Sequence, residues 1–219
     1  MNEVYLFVRG PLCWAAVAIF VIGSLYRLIS LLALVQKKEK FIFSYMSLRY
    51  SLRSIFHWLT PFATVNMRMH PAMTIVTFAF HLCLFLTPLF LLAHIVLIGE
   101  SWNLSWWSLP DGLADFMTLV VIGGCIFFLF RRRIRPEVKF LTSTSDYILL
   151  AMVAAPFITG FFAFHQWFGY QSFLILHIFT GELVLAAIPF TRLSHMLFSP
   201  LTRAYAGSEF GKIRNARDW

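Results

Sequence analysis

The stretch LHIFTGELVLAAIPFTRLSHML, residues 176–197, is long and apolar enough to cross a membrane, yet it carries two histidines, His177 and His195. Their separation of eighteen residues equals five turns of an α-helix, so on a straight helix both imidazoles point the same way, roughly 27 Å apart. Ionisable side chains at membrane depth are costly and usually face the interior of a helix bundle. The stretch therefore predicts a membrane helix that presents one imidazole near each end.

The whole chain has the composition of a membrane protein. Of its 219 residues 59% are hydrophobic and 13% charged, and the mean hydropathy is +0.75, whereas soluble chains are about 45–50% apolar and about 25% charged. Five apolar runs reach the ~20 residues that span a bilayer: 11–35, 71–98, 111–130, 145–168 and 172–198. Lipid offers no partner to exposed backbone groups, so each run must be helical. We expect an all-α integral membrane protein, one five-helix bundle domain over residues 1–219.

Basic residues alternate from loop to loop. The loops after the second and fourth apolar runs carry none, while the other loops and the tail, 199–219, carry the following: Lys37, Lys38, Lys40, Arg49, Arg53, Arg68, Arg131, Arg132, Arg133, Arg135, Lys139, Arg203, Lys212, Arg214 and Arg217. Positive charge stays on the cytoplasmic side, which predicts the N-terminus outside, in the periplasm, and the C-terminus in the cytoplasm. The segment 41–66 reads as an amphipathic helix at the cytoplasmic interface. The net charge of +8 thus follows from topology, and nucleic acid is a poor interpretation.

Cysteine spacing excludes several metal sites. Cys13, Cys83 and Cys125 each lie in an apolar run, and none forms a C-x-x-C pair. That pattern argues against a disulfide framework, an iron–sulfur cluster, a zinc site and a covalently attached c-type haem. There is no H-E-x-x-H motif either.

Two of the apolar runs hold a separated pair of histidines. His81 and His94 lie in the second run, and His177 and His195 in the fifth. The two helices run in opposite directions, so the heights pair His94 with His177 near the outer face and His81 with His195 near the cytoplasm. Two imidazoles that face each other across a helix bundle are what a six-coordinate b-type haem requires. The sequence therefore predicts two haem b sites.

The second helix leaves an alternative open. His81 and His94 are thirteen residues apart, which rotates them by about 220° on an ideal helix. One face holds both only if the helix kinks, for which Pro88 supplies a cause, or if the haems sit at different azimuths. The other choice is His70 with His81, eleven residues apart and about 20° from alignment.

Three segments carry a resemblance to a known family. They are FVIGSLYRL in the first run, FLFRRRIRPEVKFLTSTSDYILL around the third loop and LHIFTGELVLAAIPFTRLSHMLFSP at the end. Along nearly the whole chain the sequence resembles the γ subunit of respiratory nitrate reductase, a five-helix, di-haem cytochrome b. The PF-[ST]-R-L-x-H ending is the specific match. The resemblance implies that His81 and His195 hold the inner haem, and His177 and His94 the outer one. The family spaces its second-helix histidines by about ten, where this chain has Leu91.

The resemblance implies an electron-transfer subunit that is not catalytic alone, because the nitrate-reducing centre belongs to other subunits. Related subunits occur in membrane redox complexes of sulfate-reducing bacteria. By analogy we expect a hetero-oligomeric complex in the bacterial inner membrane. It would exchange electrons between menaquinone and a cytoplasmic iron–sulfur subunit, with a periplasmic multihaem cytochrome c as a further partner. Two competing interpretations are a membrane anchor with one haem or none, and a small transporter with a histidine proton relay; the lack of an internal repeat argues against the transporter.

A quinol gives up two electrons and two protons, so its pocket needs a group near a haem that exchanges protons. On the outer side the candidates are His94, His165 and Asp115, and on the inner side His70 and Arg68. Glu182, within the fifth run, is five residues from His177 and about 140° around the helix. It is expected either to lie on a proton path or to be neutral and hydrogen-bonded to a neighbour.

Overall fold

Helix dominates the computed structural model, which describes residues 2–218. Helical residues make up 84% of the protein, and no β-strand occurs within the described range. Five helical stretches are long and apolar enough to cross a membrane: Glu3–Lys38, Pro71–Phe90, Asp111–Ile134, Thr144–Phe164 and Tyr170–Phe190. The prediction of an all-α, multi-pass membrane protein with five spans is confirmed.

The helices follow one another with short connections. In chain order they are α1 (Asn2–Phe7), α2 (Cys13–Lys38), α3 (Ile42–Tyr45), α4 (Leu48–Leu59), α5 (Val65–Met69), α6 (Pro71–Phe90), α7 (Leu92–Trp102), α8 (Asp111–Ile134), α9 (Pro136–Leu141), α10 (Thr144–Phe164), α11 (Tyr170–Ala187) and α12 (His195–Ser208). A π-helical turn, Val8–Leu12, joins α1 to α2, so the first span is continuous.

Two of the apolar runs are shorter as helices than the sequence suggests. The run 71–98 is divided at Leu91, where the backbone is extended (φ −72°, ψ 128°), and its last part belongs to α7. The run 172–198 ends as a span at Phe190. Both interruptions follow a proline, Pro88 and Pro189, which has no N–H to donate to the preceding turn.

The chain forms two compact units: residues 2–8 with 75–181, here unit 1, and residues 9–74 with 182–218, here unit 2. In unit 1 the core lies where α6 packs against α8. On α8 the buried residues Met117, Val121 and Cys125 lie four positions apart and so share one face of the helix. The core consists of Phe80, Cys83, Met117, Val121 and Cys125. Other faces of the same helices expose apolar side chains, such as Phe116 at 62%, as expected of helices that contact lipid.

In unit 2 the interfacial helix α4 packs against α12 through small polar residues. The hydroxyl of Ser51 donates to the carbonyl of Ala204 at 3.0 Å and lies 2.9 Å from the hydroxyl of Ser208. Gly207 makes this approach possible, because a Cβ at that position would lie 2.6 Å from the carbonyl oxygen of Tyr50. The polar side of α4 therefore faces protein.

The opposite side of α4 is apolar and exposed. Leu48, Leu52, Phe56 and Leu59 recur at helical spacing and are 76%, 42%, 64% and 66% exposed. Such a stripe, together with the exposed Arg49 on the same helix, is typical of a helix that lies in the membrane interface. The amphipathic character of the segment 41–66 is thus carried mainly by α4.

We expect Gly207→Ala to destabilise unit 2, because the added methyl group overlaps the backbone of α4. Overpacking of this kind costs about 1–3 kcal/mol of unfolding free energy. Gly112→Ala is the control, since nothing lies within 4 Å of a Cβ there. Unfolding in mixed detergent micelles, followed by circular dichroism, measures both variants. An equal effect of the two substitutions would contradict close packing at Gly207.

Candidate functional site

At the break in the second span, three backbone carbonyls accept hydrogen bonds from donors outside α6. The carbonyl of Pro88 accepts a hydrogen bond from Nδ1 of His94 at 2.8 Å, and that of Leu89 accepts one from the Trp106 indole Nε1 at 2.8 Å. The next carbonyl, of Phe90, accepts from the backbone N–H of Leu109 at 2.8 Å. Backbone groups within a membrane must be hydrogen-bonded inside the protein. These three bonds therefore stabilise the break at the end of α6.

The break places His94 opposite His177 within unit 1. The centroids of the two imidazoles are 5.8 Å apart, and the ring planes differ by 13°. Two metal–imidazole bonds of about 2 Å each, with the ring radius added at either end, separate opposed axial imidazoles by roughly 6 Å. The separation of the ring centroids is therefore the one expected of two imidazoles that ligate one metal, and the near-parallel planes are compatible with such a pair.

His177 is held by α10. Its Nδ1 donates to the carbonyl of Pro156 at 2.8 Å. Gly160, one turn further along α10, lies against the same ring, because a Cβ there would be 2.8 Å from both Cε1 and Nδ1 of His177. A proline carbonyl and a missing side chain together fix the ring orientation.

All four predicted haem-ligating histidines use the same ring nitrogen in the same way. In each, Nδ1 bonds a backbone carbonyl at 2.8–2.9 Å. The acceptors for His81, His94, His177 and His195 are the carbonyls of Thr77, Pro88, Pro156 and Arg192. A carbonyl only accepts, so Nδ1 carries the proton and the neutral ring keeps its lone pair on Nε2. Metal-ligating histidines are normally oriented in this manner.

Two of the other histidines use Nε2 instead. Nε2 of His57 bonds the carbonyl of Ala63 at 3.2 Å. Nε2 of His165 lies 3.1 Å from Oδ2 of Asp115. The Nδ1 pattern therefore separates the predicted ligands from these two residues. Among residues 2–218 no three His, Cys, Asp or Glu side chains form a group that could hold a metal ion, whereas a haem needs only two axial ligands from the protein.

His195 is not on a straight continuation of the helix that carries His177. Beyond Ala187 the chain forms a 3₁₀ turn to Phe190 and becomes extended at Thr191 (φ −122°, ψ −176°). The hydroxyl of Thr191 donates to the carbonyl of Ala187 at 2.8 Å and accepts from the N–H of Leu193, which stabilises the break. The five-turn alignment of the two histidines is therefore wrong, because it assumed one continuous helix.

The structure brings together two of the predicted quinone-site residues. His165 follows the last residue of α10 and Asp115 lies in the first turns of α8, and both side chains are partly exposed. Aromatic rings surround the imidazole, with the centroid of Phe161 at 4.4 Å and that of Trp167 at 5.3 Å. Nε2 of His165 makes no hydrogen bond among the described residues, so the 3.1 Å approach to Asp115 is an ion pair when the imidazole is protonated. An imidazole beside a carboxylate can take up and release a proton.

The two candidates for an inner quinone site, Arg68 and His70, lie at the C-terminal end of α5. Nη1 of Arg68 donates to the carbonyls of Phe62 and Ala63 at 3.0 and 2.8 Å, so this arginine holds the loop before α5. His70 is exposed and ends α5, and its carbonyl accepts from the N–H of Thr74 at 3.0 Å. Within the described part of unit 2, no contact joins Arg68 or His70 to another predicted site residue.

Two further charged residues lie in the spans. Glu182 is 8% exposed, and neither of its carboxylate oxygens has a hydrogen-bond partner among the described residues, so the expected bond to a neighbour is absent there. Arg27 in α2 has no role in the sequence-based prediction. It is exposed, and its Cζ lies 5.6 Å from the ring centroid of Phe198. The signal that would have found it is simple: a lone arginine inside an apolar run is a candidate functional residue.

Comparison with known proteins gives one informative relative. The chain is 36% identical to a protein of Nitratidesulfovibrio vulgaris (strain Hildenborough) over 210 residues, which cover 94% of this chain and 93% of the relative. No protein-family profile matches the chain. No solved structure matches it either. The similarity extends over whole chains and therefore includes the histidine-bearing spans.

We expect Trp106→Phe to weaken the break after α6, because it removes the indole donor and leaves the carbonyl of Leu89 without it. An unsatisfied group of this kind costs about 1–3 kcal/mol of stability. Trp107→Phe is the matched control, since the ring of Trp107 stacks on Phe90 at 4.3 Å and phenylalanine preserves an aromatic ring. Hydrogen exchange of the segment 88–95 measures the effect. Equal exchange rates in the two variants would contradict the role of the indole.

Proposed function

The chain belongs to the same family as the Nitratidesulfovibrio vulgaris protein, and we propose that it is the di-haem cytochrome b subunit of a respiratory redox complex. It would carry electrons between menaquinone and partner subunits across the bacterial inner membrane. The observation that carries the proposal is the opposed pair His94 and His177, 5.8 Å apart and nearly parallel, each with Nδ1 bonded to a carbonyl. The resemblance to the nitrate reductase γ subunit supports the same function.

The outer haem would be held by this pair. Both residues fit the group, because Nε2 of each neutral ring keeps the lone pair that an axial ligand needs. The wider spacing on the second span no longer counts against His94, since the break at Leu91 separates it from the helix of His81.

The inner haem would be held by His81 and His195. His81 donates from Nδ1 to Thr77 within unit 1, and His195 donates from Nδ1 to Arg192 within unit 2. The support for this second pair is the resemblance of the closing segment, together with the Nδ1–carbonyl bond that each ring makes within its own unit. Their pairing is a proposal in its own right.

A b-type haem with two imidazole ligands supplies a one-electron carrier that takes up no proton. The protons of a quinol must therefore go to the protein. We assign that role to the pair His165 and Asp115, whose Nε2 and Oδ2 atoms lie 3.1 Å apart. The rings of Phe161 and Trp167 provide apolar contacts for a quinone ring. Arg68 is the weaker candidate, because its guanidinium already binds two carbonyls.

The orientation rests on the loop charges, which place the N-terminus in the periplasm and the C-terminus in the cytoplasm. A cytoplasmic iron–sulfur subunit and a periplasmic multihaem cytochrome c would then meet opposite faces. In intact cells a membrane-impermeant maleimide is expected to label Ser105→Cys and to spare Lys139→Cys, both exposed positions. The reverse labelling would overturn this topology.

The test of the function is the haem content of the purified full-length protein, with an optical redox titration of the same sample. We expect two b haems per chain, with low-spin spectra typical of two imidazole ligands. His94→Ala and His177→Ala should each remove the outer haem, while His57→Ala, a histidine that bonds through Nε2, should retain both. A wild-type protein without haem would leave the membrane-anchor interpretation in its place.

Gly160→Ala should perturb the outer haem alone, because the new methyl group meets the His177 ring. We expect a shifted or lost low-spin signal for one haem in electron paramagnetic resonance, and an unchanged signal for the other. Gly123→Ala is the matched control in another membrane helix, with nothing within 4 Å of its Cβ. An unaltered spectrum in Gly160→Ala would contradict the placement of His177 as a ligand.

A further inference from the structure

Arg27 lies inside the first membrane span and takes no part in the ligand pairs described above. It is eight residues from the end of the apolar run 11–35, about 12 Å along the helix axis. A guanidinium group at such depth is costly unless an anion or a polar group compensates it, and intramembrane arginines usually mark a functional site.

The compensation that unit 2 itself provides is incomplete. The Cζ of Arg27 lies 5.6 Å from the ring centroid of Phe198, a cation–π contact. No ion pair among residues 2–218 includes Arg27. In unit 2, the carboxylate of Glu209 pairs with Arg214, and that of Asp218 lies 3.9 Å from Arg203. The exposed guanidinium of Arg27 is thus available to an anion that the chain does not supply.

The position of Phe198 indicates where that anion would be. Phe198 is three residues after His195 on α12, so the two side chains are neighbours on one face of the helix. Arg27 therefore lies beside the turn that begins with the candidate inner ligand. A second arginine, Arg192, supplies the carbonyl that accepts the Nδ1 proton of His195. Arg192 thus flanks this histidine along the chain, and Arg27 approaches the same turn through its contact with Phe198.

We propose that Arg27 binds a propionate carboxylate of the haem held at His195. The inference rests on the proposed function and adds to it the residue that binds the acidic groups of the inner haem. A haem carries two carboxylates, and the planar guanidinium fork matches a carboxylate with two parallel N–H···O bonds. The charge of Arg27 and the acid of the ligand neutralise each other at a depth where neither is stable alone.

A lipid phosphate offers the same anionic oxygens, and the experiment separates the two sources. The full-length protein is produced without haem and titrated with protohaem or with its dimethyl ester, in which both carboxylates are blocked. With protohaem, we expect Arg27→Gln to weaken haem binding roughly ten- to a hundredfold, the effect of losing a charge-assisted hydrogen bond. Arg27→Lys keeps the charge without the fork and should fall between wild type and Arg27→Gln.

The dimethyl ester provides the decisive comparison. If Arg27 binds a propionate, wild type and Arg27→Gln bind the ester equally. If Arg27 binds a lipid phosphate, Arg27→Gln lowers the affinity for protohaem and for the dimethyl ester by the same factor, and that factor grows with the amount of anionic lipid present. This outcome overturns the proposal. Arg133→Gln is the control, because its Cζ lies 5.1 Å from the Tyr147 ring in a similar cation–π contact between α8 and α10, two helices that carry no predicted haem ligand.

The outcomes also separate this inference from the proposed function. A wild-type chain that binds no haem overturns both. A wild-type chain that binds two haems, together with an Arg27→Gln variant of equal affinity and equal inner-haem midpoint potential, overturns the role of Arg27 alone.

Discussion

A carbonyl group that loses its helical donor inside hydrocarbon needs another donor, and the arrangement around the second span depends on this constraint. Three successive carbonyls at 88–90 are bonded by the ring of His94, the indole of Trp106 and the backbone of Leu109. Without these donors the end of α6 would expose polar backbone to lipid. With them the chain can stop one helix at Phe90, start another at Leu92 and turn His94 toward His177.

The histidines obey the same requirement that polar groups in an apolar setting be hydrogen-bonded. Each of the four candidate ligands bonds a backbone carbonyl through Nδ1. For His81 and His195 the carbonyl lies three or four residues earlier in the chain, for His94 it lies at the helix break, and for His177 it lies on α10. The bond satisfies a polar ring nitrogen in an apolar setting and, at the same time, fixes which nitrogen keeps its lone pair. One hydrogen bond thus gives the carbonyl a donor and orients the candidate ligand.

Much of the fold could be predicted, because membrane spans are defined locally. A run of about twenty apolar residues is helical wherever it lies in lipid, and five such runs became five helical spans. The helix breaks were harder to place. Pro88 indicated a kink, but the stop at Leu91 depends on an indole seventeen residues after Leu89 in the sequence. The end of the fifth span at Phe190 depends on Thr191 bonding back to Ala187, which no hydropathy pattern shows.

The sequence by itself determined the class of the protein and the number of its spans, and it named the candidate histidines, since composition and residue type are local properties. The tertiary structure decided which groups meet. It set the ring centroids of His94 and His177 5.8 Å apart in nearly parallel planes, brought His165 to Asp115, and placed Arg27 against Phe198. Each of these contacts joins residues at least fifty positions apart. Their proximity follows from where helices break and pack, which is a property of the whole fold.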